Sequence, residues 1–261
     1  MVDGALGARG AGVSADRIAF LGHATVLIEL AGVRVLTDPL LRSRVLHLRR
    51  QVPPIPNSQF AHVDIVLISH LHHDHLDLPS LRLLGLGSAL VVPRGAGAWL
   101  RRRGFTKVTE LSVGDGVNIA GAQIVAVPAH HDGRRLAGPS ADPLGYLVGD
   151  QRVVYFAGDT ERFAGMSKLA PALEVALLPV AGWGPTLGPG HMGPLDAARA
   201  LAALQPRIAI PVHWGSLLPL GLARRHRSRL GDPPRRFAEH AARLAPAVEV
   251  RILAPGDTTT L

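Results

Sequence analysis

The run Val63-Asp64-Ile65-Val66-Leu67-Ile68 passes without a break into Ser69-His70-Leu71-His72-His73-Asp74-His75-Leu76-Asp77. A continuous apolar run of this length, rich in β-branched residues, reads as a strand buried on both faces, and such strands belong to sheets covered by other layers. In open α/β sheets the ligand crevice lies at the carboxyl ends of the strands, and that is where this cluster of imidazoles and carboxylates falls. Alternation along an extended chain puts His70 and His72 on one side, and Asp74 and His75 follow as the chain turns toward a helix. One short loop can therefore serve two adjacent cations. A polar surface loop would have a similar composition in a chain with 13 histidines, but it would have no reason to sit directly behind a buried strand.

The chain has no cysteine, which excludes disulfides and thiolate ligands and leaves His, Asp and Glu to bind any metal. Imidazole nitrogen with carboxylate oxygen suits zinc and also manganese or iron, so the ligand type narrows the metal, zinc first, without fixing it. With 261 residues, 47% of them hydrophobic, the chain can bury a sizeable core as one large α/β domain or two fused halves. No linker cuts it. The expectation is one domain over residues 17–261, preceded by a flexible Gly/Ala-rich leader over residues 1–16 that lacks the apolar core of a secretion signal. No apolar stretch reaches the roughly 18 residues of a membrane span, and a cytoplasmic location follows as the default.

The net charge of +8 and the runs Arg101-Arg102-Arg103 and Arg224-Arg225-His226-Arg227 raise the question of nucleic acid. Aromatics make up only 4%, so stacking platforms for bases are scarce, and no specific nucleic-acid partner is expected. A basic rim that draws in a small-molecule or lipid-like anionic substrate, or touches membrane headgroups peripherally, fits the charge at least as well. Nothing in the sequence sets an oligomeric state.

Along the chain, Arg17–Leu30 and Val33–Leu36 read as a hairpin with Gly32 at its turn. Leu40–Phe60 reads as a long irregular loop, because Pro53, Pro54 and Pro56 argue against regular structure, and its Arg42–Pro56 part would form a wall or lid near the cluster. Further strands are expected over 89–93, 117–119, 123–127, 146–148, 152–156, 175–180, 207–212 and 248–253, with helices over 78–84, 96–103, 194–204 and 234–244. Polar residues repeatedly follow these apolar runs. Three such endings carry candidate ligands: His131, Asp159 and His213. Asp159 follows Ala157-Gly158, small residues that let the backbone come close, and a carboxylate there could bridge two cations. Singly, Asp159 could be a helix cap and His213 an ordinary buried histidine.

Taken together, these residues resemble the metallo-β-lactamase-fold hydrolases, from about Arg17 to the end of the chain. The strongest match is His70-Leu71-His72-His73-Asp74-His75, the H-x-H-x-D-H motif, followed in the family's order by His131, Asp159 and His213. The narrower likeness is to the branch of N-acyl-phosphatidylethanolamine-hydrolysing phospholipase D and the ascorbate-6-phosphate lactonase-like proteins. It rests on Gly22-His23-Ala24-Thr25-Val26-Leu27-Ile28, Thr37-Asp38-Pro39, Gly190-His191-Met192-Gly193-Pro194 and His213-Trp214-Gly215-Ser216.

The resemblance implies an α/β fold, a four-layer αββα sandwich. It implies that His70, His72 and His131 hold one metal, that Asp74, His75 and His213 hold the other, and that Asp159 bridges them. That branch usually shows P-A-Q-H, so His131 takes the ligand place and His130 the glutamine place. Asp38 would orient a ligand histidine or the bridging water from behind. His73 occupies the variable position of the motif, and His23 is a strand residue near the site with no role assigned. Asp74 and His191 are the residues expected to act in catalysis; His191 could equally be a polar residue that merely precedes the helix at Pro194.

Two divalent cations roughly 3.5–4 Å apart can share a hydroxide formed near neutral pH, and that hydroxide is the expected nucleophile. The chain offers no serine elbow and no cysteine for covalent catalysis. A phosphodiester is the first substrate expectation and a lactone or other cyclic ester the alternative; a β-lactam is not expected. Nucleases of this superfamily usually carry an inserted domain, for which no segment is long enough. A non-catalytic metal-binding or interaction protein is the alternative of another class, but such proteins tend to lose ligands and all seven are present.

Overall fold

The computed structural model describes residues 15–135, 138–170, 172–182, 186–221 and 230–261. Nearly all of the expected leader and the run Arg224-Arg225-His226-Arg227 lie outside the described residues. The segment Arg17–Leu30, one run in the sequence, turns back on itself as β1 (Arg17–Gly22) and β2 (Thr25–Leu30), which pair antiparallel with a register shift between Phe20 and Gly22. The turn at His23-Ala24 has Gly22 (φ 110) as its one usual turn residue, and His23 itself takes φ 57, a left-handed conformation rare outside glycine. The next turn matches expectation: Ala31 (φ 49) and Gly32 (φ 83) form a two-residue connection to β3 (Val33–Thr37).

The stretch read as irregular contains β4 (Arg44–Val45), β5 (Leu48–Arg50) and α1 (Asn57–Phe60). Pro53, Pro54 and Pro56 do keep the segment between β5 and α1 free of strand or helix. The hairpin before them forms because Val45 and Leu48 bury against Leu40 and Leu217 in a small cluster of their own.

From there the first half alternates strand and helix: β6 (Ile65–Leu67), α2 (Leu78–Leu84), β7 (Ala89–Pro93), α3 (Gly97–Arg101) and β8 (Val108–Leu111). The second half opens with β9 (Gly116–Ile119), β10 (Ala122–Pro128), β11 (Leu144–Val148) and β12 (Val154–Phe156). A 3₁₀ turn at Ala164–Lys168 leads to β13 (Val175–Pro179), α4 (Pro194–Leu204), β14 (Ile208–Val212), β15 (Leu217–Pro219) and α5 (Asp232–Leu244). β16 (Glu249–Val250) and β17 (Thr258–Thr260) follow. The strand expected over 248–253 is thus only two residues long. β17 leaves no apolar pattern to read because its three threonines alternate between exposed and half-buried on a sheet margin.

One seven-stranded sheet runs β17-β1-β2-β3-β6-β7-β8, a second runs β16-β14-β13-β12-β11-β10-β9, and β15-β5-β4 form a third, small one. Phe20, Ile28 and Ile65 of the first sheet share a core with Ile124, Phe156 and Ile210 of the second. The outer face of the first sheet buries Leu81 of α2 and Leu100 of α3, and that of the second buries Leu201 of α4 and Phe237 of α5. The four layers are therefore helix, sheet, sheet, helix: the αββα sandwich. Each fully buried Leu, Ile or Phe contributes about 1.5–3 kcal/mol. In the parallel parts, β3-β6-β7 and β12-β13-β14, neighbouring carboxyl ends point the same way and gather the polar endings at one margin. No helix among the described residues is long and apolar enough to cross a membrane.

Candidate metal centre

Behind β6, the loop Ser69–Asp77 is tied to the end of β3 through Asp38, which is fully buried and has φ 33. Asp38 accepts from Ser69 N at 2.7 Å, from Ser69 Oγ at 2.5 Å and from His75 Nδ1 at 2.6 Å. Because the Ser69 hydroxyl spends its hydrogen on Asp38, its oxygen is left to accept from His70 Nδ1 at 3.0 Å. Both rings are thereby fixed with Nδ1 protonated and Nε2 facing inward. Arg135 closes the loop from the other side by donating Nη1 to Leu71 O (2.8 Å) and Leu76 O (2.9 Å), with its guanidinium near the Trp99 ring.

The remaining candidates arrive on the ends of β10, β12 and β14. His131 donates Nδ1–H to Gly190 O at 3.0 Å and His213 donates Nδ1–H to Ala181 O at 2.8 Å, so backbone carbonyls again leave both Nε2 atoms bare. Asp159 comes in close because Gly158 (φ 61) precedes it: a Cβ there would stand 2.5 Å from Ser69 Cβ.

Two nests of donor atoms result. In the first, His72 Nδ1 lies 3.0 Å from His70 Nε2 and 3.2 Å from His131 Nε2. A single hydrogen on His72 could satisfy at most one of these contacts, so three ring nitrogens converge as a cation cradle would require. In the second, His75 Nε2 lies 3.3 Å from His213 Nε2 and 3.8 Å from Asp74 Oδ2. Asp159 places Oδ2 3.3 Å from His75 Nε2 and Oδ1 3.3 Å from His213 Nε2. Asp159 Oδ1 is buried without a hydrogen-bond partner, and the bare His213 Nε2 faces it at 3.3 Å. Lone pair facing lone pair in a buried site calls for a cation between them. For metal–ligand bonds of about 2.0–2.1 Å, a tetrahedral site separates its ligands by about 3.3–3.4 Å, close to the spacings here. Asp159 also lies within 4.8 Å of His131 and His191 nitrogens, which places it beside both nests.

Electrostatics favour the ligand forms at every candidate except His75. Burial, helped by the neighbouring rings, holds His70 well below the ordinary imidazole range and lowers His72, while His131 is lowered to about 4 and His213 to about 3. These rings are neutral at pH 7. Burial pulls His75 down too, but Asp159, Asp74 and Asp38 around it prevail and raise it well above the ordinary value. Burial pushes Asp74 and Asp159 up, yet the imidazoles facing them hold both well below the usual carboxylate range.

A cavity of about 580 Å³ opens over the nests, walled by Leu46, His47, Arg134, Leu187 and His191. The stretch expected to form a wall therefore does so, as the turn between β4 and β5. His191 holds its ring by donating Nδ1–H to Gly188 O and Pro189 O (3.2 and 3.1 Å) and presents Nε2 3.5 Å from Asp159 Oδ2. His73 lines the same cavity. His130 points elsewhere, exposed and stacked on Phe163 at 4.5 Å.

The sequence model described as Beta-lactamase superfamily domain matches residues 33–214. The chain belongs to the beta-lactamase superfamily. Within it, a UPF0173 metal-dependent hydrolase of Methanopyrus kandleri is 32% identical over 251 residues, 93% of this chain and 98% of the relative. N-acyl-phosphatidylethanolamine-hydrolyzing phospholipase D 1 of Caenorhabditis elegans is 29% identical over 229 residues, 77% of this chain but only 64% of that protein. The solved structure of Igni18, a metallo hydrolase from Ignicoccus hospitalis, shares the fold with a TM-score of 0.71 at 24% identity, covering 95% of this chain and 99% of that one. This superfamily member is thus one of a family of metal-dependent hydrolases.

All seven ligand candidates meet in the two nests, Asp38 stands behind His75, and His191 faces the cavity. Two contributors carry no role in the sequence reading. Arg135 could not be placed without knowing that its loop returns over Leu71. His23 joins Asp74, His75 and His213 in one buried group; its only sequence signal is its place in Gly22-His23-Ala24-Thr25 between two apolar runs.

Proposed function

We propose that this superfamily member is a binuclear metal-dependent hydrolase of phosphodiesters, with a lipid-like or other small anionic ester as substrate. The observation that carries the reading is the carboxylate of Asp159, orphaned at Oδ1 and lying beside both nests at the floor of the cavity. In this reading His70, His72 and His131 hold one ion, Asp74, His75 and His213 the other, and Asp159 serves both. Two divalent ions so held would supply Lewis acidity and a water ionised near neutral pH.

The chain's own groups supply the rest. His191 is raised above the ordinary imidazole value, chiefly by its hydrogen bond to Asp159 against the effect of burial, so it tends to keep its proton. Its Nε2 can donate to an anionic oxygen of the substrate or protonate the leaving group. Arg134, exposed at the rim, draws anions toward the cavity. Val45, Leu46, Leu48 and Leu187 offer apolar surface to the part of the substrate beyond the scissile bond. Asp74 and the buried ring of His75 fix the floor. The phospholipase relative, whose name states a phosphodiester reaction, supports this choice over a lactone.

Metal content combined with hydrolysis of bis-p-nitrophenyl phosphate and of a lactone panel tests it. Two ions per chain with diesterase and no lactonase activity is the expected result. Lactonase activity alone would move the substrate to a cyclic ester, and a fully metal-loaded protein inert on every ester would make the fold a non-catalytic metal binder.

A further inference from the structure

One buried ring at the centre is not used by that reading. His23 is 3% exposed and directs Nε2 to Asp74 Oδ2 at 3.0 Å, on the same oxygen that faces His75. Its ring lies 4.0 Å from the His213 ring, and its backbone carbonyl accepts from His213 N at 2.8 Å. The main chain is bent to achieve this. His23 and His213 are both non-glycine residues in the left-handed region, at φ 57 and 61, a conformation that persists only where the surroundings over-determine it. Gly22 (φ 110) precedes it at a point where a Cβ would stand 2.7 Å from Ser216 Oγ, the group that accepts from His23 N at 2.7 Å. The β1–β2 turn and the segment after β14 are thus locked together around the contact between His23 and Asp74.

We propose that His23 is a positioning residue of the second nest: its Nε2–H occupies one lone pair of the Asp74 ligand oxygen, and its carbonyl sets the segment that delivers His213. Resting on the binuclear reading, this leaves one lone pair of Asp74 Oδ2 that would be free to hold a cation. While Nε2 carries that hydrogen it has no lone pair to give, so His23 orients a ligand without being one. The same carboxylate bound only by water would be free to rotate.

Three proteins decide it: wild type, His23→Phe, which keeps a ring against His213 but has no donor, and His23→Gln, whose amide nitrogen can take the place of Nε2. Metal per chain is measured by mass spectrometry after equilibration against graded chelator, with circular dichroism of the metal-free proteins as the folding control. Wild type should hold two ions. His23→Phe should hold one as tightly as wild type and the other about 10–100-fold more weakly, and His23→Gln should recover most of the loss. Retention of both ions by His23→Phe at the wild-type chelator midpoint overturns the role. So does loss in both variants with a cobalt spectrum showing one nitrogen donor fewer, since His23 would then be a ligand. Wild type that binds fewer than two ions overturns the binuclear reading together with this one, whereas the preceding outcomes leave that reading standing.

Discussion

The two nests differ in which protons they must shed. His70, His72 and His131 are held neutral by burial and by neighbouring imidazoles, His75 among them, whereas His75 is raised well above its ordinary value by three carboxylates. Metal binding requires a bare ring nitrogen, so it competes with a proton at His75 and much less at the first nest. As pH falls from neutral, the ion held by Asp74, His75 and His213 should therefore leave first; equilibrium dialysis at graded pH with metal counting checks the order, and simultaneous release would contradict it. His191→Ala should lower turnover by about 10²–10⁴-fold, the usual range for a lost general acid, while metal content stays as in wild type. Unchanged turnover would remove His191 from the reaction. The seven ligand candidates were legible because each follows a buried run, and a polar residue at a strand end advertises itself. His23 was not: its importance lies in a left-handed φ and in a hydrogen bond between residues 23 and 74, neither of which leaves a mark on spacing.

Elements with one clean period were easy to read. α4 begins at Pro194, where the missing N–H costs nothing, and its Ala197, Ala198, Leu201 and Leu204 fall on one face. β4 and β5 were missed because two- and three-residue strands are too short to show alternation, and β17 because its pairing partner lies at the opposite end of the chain. α5 packs against α4 through Phe237, which is fully buried, so Phe237→Ala should lower stability by about 3–5 kcal/mol in urea unfolding. At the start of α3, Glu110 Oε1 accepts from Gly95 N (2.8 Å) and Gly97 N (2.9 Å). Burial pushes this carboxylate up, but those two donors and Arg101 outweigh it and hold it below the ordinary value of 4.5. A depressed value in the folded state stabilises above the unfolded value and is lost as pH falls through the folded one. Glu110→Gln should accordingly be less stable than wild type at pH 7, by about 1 kcal/mol for a charge-assisted bond made neutral. That gap should close as the pH is taken below 4.5 in parallel urea titrations.

The donor groups come from both sheets: His70, His72, Asp74 and His75 after β6 of the first, His131, Asp159 and His213 after β10, β12 and β14 of the second. Ions bound between them would cross-link the two halves of the sandwich and stabilise only the folded chain, so adding zinc to chelated protein should raise the melting temperature in a concentration-dependent way. A melting temperature indifferent to metal would mean that the nests stay empty. The alternating runs announce an α/β domain, and it is the family likeness that implies the sandwich. The path of the final residues was legible in neither, and it has a consequence of its own. Thr258–Thr260 pair with Arg17–Ala19, the Gly256 N–H donates to Phe20 O, and Phe20 N donates to Asp257 O. The last strand of the chain is what shields β1 from having open backbone groups. Cutting residues 257–261 would leave β1 as a bare rim able to recruit strands from other molecules, so that truncation is expected to show first as concentration-dependent self-association in light scattering, before the metal centre itself is touched.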